Sequence, residues 1–245
     1  MLPISRISDF EPYSALWFSN RLGKITSSPV SCLCAPKGIG DGGMTYIRNK
    51  VHEEITGQPS DRNIETEGTL WGQTYEPIAI DYWKRNTPSC VKHLPNQHIV
   101  FGERFASTPD DFIFMNEKLL FYKDEKTGEE FFNCETAEFK CYMTPAVHMA
   151  HVECQTPAEL KALNPKVYWQ TISQIEWANV TRGRAVFYHP HYKDLHPYKM
   201  GEVIFKKTEM IEEFKFFNTR MDEAKKLFDK FLNYRKPVRE ELTNQ

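Results

Sequence analysis

Three charged residues in two short segments carry the chemistry this sequence can support. Pro109-Asp110 stands in the first, and Glu138-Phe139-Lys140 in the second. Both segments have strand character, with Asp110 closing the first. Residues two apart on a strand share a face, so Glu138 and Lys140 project together. Two carboxylates and an ammonium meeting at one place can hold a divalent cation and a phosphate at once. That arrangement suits metal-assisted hydrolysis of a phosphodiester. The attacking water must lose a proton, and the charge on the phosphate and the leaving oxygen must be neutralised. One or two Mg²⁺ ions held by carboxylates, or Mn²⁺ in their place, do both. Mg²⁺ keeps several waters and takes few protein carboxylates, so Asp110, Glu138 and the Phe139 backbone carbonyl are a sufficient ligand set. Lys140 then orients the water or stabilises the transition state. By itself the pattern is more often a turn aspartate and an exposed charge pair on an edge strand. The neighbours favour the site: in Ala137-Glu138-Phe139-Lys140-Cys141 apolar residues alternate with charges, as on a half-buried strand beside a core.

The elements that must position these residues follow from periodicity and turn chemistry. Residues 10–22 read as a helix with Ala15, Leu16, Phe18 and Leu22 apolar, followed by a turn over 23–29 and a loop over 36–43. A helix is expected from Met44 to Ile55, closed by Thr56-Gly57. Another helical region spans 66–85 and is interrupted by Pro77: either it kinks there, or a new helix begins with Pro77 in its first turn. The middle is strand-rich: His98–Phe101, Phe105–Thr108, Phe112–Phe114, Leu119–Tyr122 and Phe131–Tyr142, with a polar hairpin tip at Asp124–Gly128. A loop over 143–155 leads into helix over 156–183, first Pro157–Leu163 and then Lys166–Val180, before a last strand at Ala185–Tyr188. Residues 208–234 form an amphipathic helix with Met210, Phe214, Phe217, Met221, Ala224, Phe228 and Phe231 on one stripe, a pattern of core or oligomer packing. This order predicts one α/β domain over residues 1–245, a central mixed sheet flanked by helices.

Composition narrows the partners. A formal net charge of −2 gives no global basic signature, so any contact with nucleic acid must use a local basic groove. The six cysteines include no CxxC pair, and no apolar run follows a basic start at the N-terminus; the expectation is a reducing cytoplasm and free thiols. No stretch approaches the roughly 20 apolar residues of a membrane span. His148-x-x-His151 and His189-x-His191 lack the HExxH pattern and a completing zinc quartet, and read as structural or surface histidines. His148, or another residue of the 143–155 loop, is nonetheless a candidate to approach DNA. Cys32-x-Cys34 reads as inert, and the lack of a cysteine after Cys154 argues against an iron–sulfur cluster with late cysteine ligands. Lys37-Gly38-Ile39-Gly40 is too short for a Walker A loop.

Five segments in order, and a sixth behind them, resemble the phage lambda exonuclease family, the viral recombinase branch of the PD-(D/E)xK nucleases. Trp17 through Ser28 is similar to the opening W…R-x-G-x-[IV]-T-[AG]-S, and Met44 through Gly57 to the next helix, which ends in Thr-Gly. Trp71-Gly72-Gln73-Thr74-Tyr75-Glu76-Pro77 is similar to the G-x-x-x-E helix, Ala106 through Asp111 to x-[ST]-P-D-G, and Glu138-Phe139-Lys140-Cys141 to E-x-K-C. Tyr168 through Gln174 resembles a helix with a glutamine motif, and the likeness runs from about residue 14 to residue 192. Three departures stand out. Asp111 occupies the usual glycine position, Tyr142 stands where proline is common, and the glutamine spacing is offset by about one residue.

The resemblance implies a restriction-endonuclease-like core with Asp110 and Glu138 as metal ligands, Lys140 as the catalytic lysine and Glu76 as a helix-borne acid close to the metals. It implies support from Gln170 or Gln174, and a pocket of Arg21, Ser28 and Thr108 for the terminal 5′ phosphate. Asp111 then either adds an outer-shell ligand or faces solvent, and Asp110 is favoured as the ligand because it follows Pro109. The implied activity is a Mg²⁺-dependent 5′-to-3′ exonuclease on double-stranded DNA ends that leaves 3′ single strands for recombination. The implied setting is phage or prophage, in the host cytoplasm, with a ring-shaped homotrimer and a single-strand annealing protein as partner. Two other readings remain: an endonuclease or nickase of the same fold, and a catalytically silent DNA-end-binding protein, against which the intact Asp110, Glu138 and Lys140 set argues.

Overall fold

The computed structural model describes residues 6–9, 14–60, 66–87, 92–95, 97–101, 103–114, 121–123 and 130–234. In chain order the elements are β1 (Arg6–Asp9), α1 (Ala15–Arg21), β2 (Ile25–Thr26), α2 (Asp41–Thr56), α3 (Glu67–Asn86), β3 (Lys92–Pro95), β4 (Gln97–Phe101), β5 (Phe105–Ser107), β6 (Asp111–Phe114), β7 (Phe121–Lys123), β8 (Glu130–Lys140), α4 (Pro145–Val152), α5 (Pro157–Leu163), α6 (Pro165–Ala178), β9 (Val180–Tyr188), β10 (Met200–Lys206) and α7 (Ile211–Leu232). The main sheet has the order β10-β9-β8-β6-β3, with β7 also paired to β8. Only β8 and β9 run parallel in it, Glu138 standing beside Ala185 and Lys140 beside Phe187. Parallel neighbours need a long crossover, and α4, α5 and α6 supply it. A second sheet has the order β1-β4-β5-β2, with β2 and β5 parallel. The α/β class with a mixed sheet flanked by helices is the architecture expected from sequence.

Helix α6 is the centre of the core. Eleven of its fourteen residues are buried, because it packs between β8, β9, α5 and α7 and its buried glutamines are hydrogen-bonded. Its approach to the sheet is close at Gly183, where a Cβ would come within 2.6 Å of Ile175 and of Thr136. Glycine here lets the helix settle onto β8 and β9. The stripe on α7 buries Phe214, Phe217, Met221, Ala224 and Phe228 against this core, each large side chain contributing about 1.5–3 kcal/mol through its removal from water. The opposite face of the sheet is covered by α3 through Ala79, Tyr82 and Trp83, packed on Ile113, Ala137, Phe139, Val186 and Tyr188.

Several expected boundaries shift. α2 closes as expected at Gly57, whose amide reaches the Glu53 carbonyl at 2.9 Å. α3 is one helix through Pro77, neither restarted nor ended there; Pro77 simply has no amide to offer the Gln73 carbonyl. The 143–155 stretch is not a loop: α4 occupies most of it. Its His148 is fully buried and bonded through Nε2 to the Tyr198 carbonyl at 2.7 Å, so that side chain cannot approach DNA. Ala185–Tyr188 belongs to a longer strand that begins at Val180, inside the stretch read as helix, and β10 follows it as a strand not anticipated. Strands β1, β2 and β3 were also not anticipated. The hairpin tip at Asp124–Gly128, residues 10–13 of the first expected helix and Cys90 lie outside the described residues. The other five cysteines are free thiols, and among the described residues no helix is long and apolar enough to cross a membrane.

Candidate active site

Alternation along β8 sends Ala137 and Phe139 into the α3-side core and turns Glu138 toward α6. Glu138 is 2% exposed, and a carboxylate this buried needs partners. Three side chains donate to it. Lys140 and Gln170 reach Oε1, the latter at 2.5 Å, and Gln174 reaches Oε2. The choice between Gln170 and Gln174 dissolves: four residues apart, they lie on one face of α6 and hold one oxygen each. Asp110 sits in the bend before β6 and accepts the Phe139 amide at 2.6 Å, which brings the two charged segments together.

Asp110, Glu138, Lys140 and Gln170 line one cavity of about 380 Å³, with Gln174 buried behind Glu138. Glu76 and Gln73 reach it from α3 and Trp17 and Arg21 from α1, while Ser28 and Thr108 complete the lining. Arg21 donates to the Thr108 hydroxyl at 3.1 Å and stacks on Trp17 at 4.3 Å. Ser28 and Thr108 are brought side by side by the parallel β2–β5 pair and by a 2.7 Å bond between the hydroxyls of the preceding residues, Ser27 and Ser107. The chain leaves α1 after Arg21 and turns at Gly23 toward β2 and Ser28; there φ is 69° and a Cβ would come within 3.1 Å of the Glu54 backbone. Beside this contact the Gly23 amide and Lys50 both donate to the same oxygen of Glu53. All three residues matched to a phosphate pocket therefore join the acidic cluster in one space. Trp17 and Gln73 were not singled out from sequence; Gln73 was legible as the residue one helical turn before Glu76.

The electrostatics are those of crowded negative charge. Burial, with Glu138 and Glu76 close by, pushes Asp110 well above the usual carboxylate range, and Lys140 and the Phe139 amide only partly offset this. Burial also raises Glu76 to about 7; Lys140 draws it down and Glu138 pushes it up. Burial disfavours the charged form of Lys140, yet Glu138, Asp110 and Glu76 outweigh burial and hold its pKa above the ordinary value. Three carboxylates thus face one ammonium and two neutral amides. Among the described residues no trio of Asp, Glu, His or Cys side chains is grouped closely enough to hold a metal ion by itself.

Asp111 is neither an outer-shell ligand nor exposed. It is fully buried on the opposite side of β6 and bonded to His93 of β3. Adjacent strand residues point to opposite faces, so only one of the pair can enter the cavity, and Asp110 does. A second cavity of about 350 Å³ lies at the far end of α3, beside Tyr82 and Leu195. Its charged groups are already engaged: Lys199 donates to the Pro190 and Tyr192 carbonyls, and Glu202 accepts from Trp83 and Arg184.

Residues 16–181 match the YqaJ-like viral recombinase domain. No curated protein sequence matches the chain. Among solved structures, an alkaline exonuclease (LHK-Exo) from Laribacter hongkongensis superposes with a TM-score of 0.68 at 16% identity, covering 94% of this chain and 100% of the other. The same protein in complex with dAMP gives a TM-score of 0.65 with the same identity and coverage. A phage-related exonuclease from Haemophilus somnus 129PT gives 0.58 at 14% identity, covering 89% and 99%.

Proposed function

The chain belongs to the YqaJ-like viral recombinase domain family, and from that premise we propose that it is a Mg²⁺-dependent 5′-to-3′ exonuclease acting on double-stranded DNA ends. The observation that carries this reading is one cavity shared by Asp110, Glu138, Lys140 and Glu76 with Arg21, Ser28 and Thr108. The names of the similar solved structures, alkaline and phage-related exonucleases, support the same class of activity.

The residues fit a divalent cation, because Asp110, Glu138 and Glu76 converge in one cavity on a single ammonium; burial raises Asp110 and Glu76, and Glu138 adds to both. Asp110, Glu138 and the Phe139 carbonyl would hold Mg²⁺ or Mn²⁺, with Glu76 at the edge. The N–H and C=O of a strand residue point to the same side, so the amide that reaches Asp110 brings its own carbonyl with it. Such an ion, when bound, supplies Lewis acidity and a more acidic water. Gln170 and Gln174 keep the Glu138 carboxylate in one orientation. Lys140, an ammonium facing three carboxylates, donates hydrogen bonds to the attacking water and to phosphate oxygens. Arg21 offers a planar fork to a terminal phosphate, with the Ser28 and Thr108 hydroxyls as neutral donors. The 3′ single strand left behind suits recombination, and a ring trimer with a single-strand annealing partner is the assembly this reading carries.

Digestion of 5′-phosphorylated duplex, 5′-hydroxyl duplex and a closed circle in Mg²⁺ tests the reading. The phosphorylated ends should be degraded fastest and the circle spared. Arg21→Ala should erase the preference for phosphate, a loss of roughly ten- to a hundredfold for a charge-assisted contact. A cut circle would point instead to the endonuclease reading, and a linear duplex left intact would sink both.

A further inference from the structure

We propose that Asp111 and His93 form a positioning pair that holds Asp110 in its working orientation and ties it to the helix bearing Glu76. The inference rests on the hydrolytic role given to Asp110. The β6–β8 ladder runs from Ile113 opposite Glu135 to Asp111 opposite Ala137 and ends there. Asp110 therefore lies one residue beyond the last paired position, and the bond it accepts from the Phe139 amide involves its side chain, not its backbone. Its orientation depends on how firmly the next residue is anchored. Asp111 supplies that anchor: it is completely buried and joined to His93, whose own side chain is almost as buried on the neighbouring strand β3. The motif that the segment resembles carries glycine here, which has no side chain to make such a bond.

The anchor continues into α3. The His93 ring meets Trp83 edge-on, with centroids 5.9 Å apart. Trp83 donates through Nε1 to Glu202 at 3.0 Å, and Arg184 lies 5.0 Å from the Trp83 ring while donating to the same Glu202 oxygen at 2.8 Å. Trp83 and Glu76 are seven residues apart on α3, two turns and nearly one face. The frame that fixes Asp111 thus also fixes the rotation of the helix that presents Glu76. It joins β6, β3, α3, β10 and β9 on the side of the sheet away from Gln170 and Gln174. Residues standing behind a ligand in this way set its direction without touching substrate.

The test compares Asp111→Ala, Asp111→Asn and wild type. The readouts are kcat and KM on 5′-phosphorylated duplex, and calorimetric titration of Mn²⁺ into the protein without DNA. Asp111→Ala should lower kcat and Mn²⁺ affinity by about ten- to a hundredfold while KM for duplex stays within about threefold, since the phosphate pocket is built from other elements. Asp111→Asn keeps an acceptor for His93 and should recover most of both. Asp111→Gly serves as the second arm if the alanine variant does not fold. Unchanged kcat and Mn²⁺ affinity in a folded alanine or glycine variant would overturn the positioning role, as would an asparagine variant that falls as far as alanine. A wild type that neither binds Mn²⁺ nor cuts DNA overturns the hydrolytic reading, and this inference with it. An active wild type matched by Asp111→Ala overturns the positioning role alone.

Discussion

Two glutamates three residues apart on β8 meet opposite fates. Glu135 faces the α3 side and is met by Arg184, buried with it, and by Arg182 at 3.2 Å. Glu138 faces α6 and is met by a single cation, Lys140, and the neutral amides of Gln170 and Gln174, with Asp110 and Glu76 close by. Both carboxylates are almost fully buried, so burial does not separate them. Compensation does. Arg182 and Arg184, the latter shared with Glu202, balance two carboxylates with two guanidiniums, as in a structural ion-pair network. The surroundings of Glu138 hold more negative charge than they neutralise, which is the condition under which a site recruits a cation and a phosphate. A charge deficit, rather than a buried charge, sets the candidate site apart here.

The sharpest way to break this contrast is to remove each glutamate in turn. Glu138→Ala should cost on the order of a thousandfold in kcat while leaving a folded protein, because its neighbours lose a crowding charge. Glu135→Ala should do the reverse. It leaves Arg184 buried without its main partner and should lower stability by about 3–5 kcal/mol in denaturant titration, with the kcat of the folded fraction little changed. If Glu135→Ala lost activity without losing stability, the distinction would collapse. A smaller effect is expected at the clamp. Gln170→Ala and Gln174→Ala should each reduce kcat about ten- to a hundredfold, and the double variant should fall short of the product of the two, because both act through one carboxylate. Fully multiplicative losses would mean that the glutamines act independently of Glu138.

The smallest effect is one of pH, away from the cavity. Burial, with His189 and His151 close by, holds the His148 imidazole down to about 4 from an ordinary 6.5. A group depressed in the folded state is fully stabilising above its unfolded pKa. Its contribution should be intact above pH 6.5 and fade as pH falls toward 4, where the unfolded chain binds the proton first. His151 and His189 are lowered in the same direction, also mainly by burial. Thermal melts between pH 7 and 5 should show Tm falling, and His148→Gln should flatten part of the slope. An equal slope in the variant would show that other groups carry the acid sensitivity.

Much of the site was legible because its signals are local. The alternation in Ala137-Glu138-Phe139-Lys140 puts both charges on one face whatever the rest of the chain does. The glutamines of α6 stand four apart and share a helix face for the same reason. Illegible signals were of two kinds. Short strands such as β2 and β3 have no period of their own and exist because a neighbour completes their hydrogen bonds, Ile25 beside Phe105 and Leu94 beside Phe112. α4 was read as loop because Pro145 and the histidines mask an eight-residue helix, although proline is well suited to a first turn.

Sequence alone was enough to say which residues share a face, where α5 begins and ends, where α2 closes, and that three acids and a lysine were available for phosphodiester chemistry; α2 itself starts three residues earlier than expected, at Asp41. Long-range packing put Asp110 in the cavity, as its place after Pro109 favoured, and sent Asp111 to the other side of the sheet. It also decided that Asp111 pairs with His93, and that both glutamines hold Glu138. Face and cap are set by backbone geometry within a few residues. The choice between two adjacent aspartates depends on the register of β6 between β3 and β8 and on how closely α6 settles at Gly183. Those are contacts between segments far apart in the chain, which no local pattern encodes.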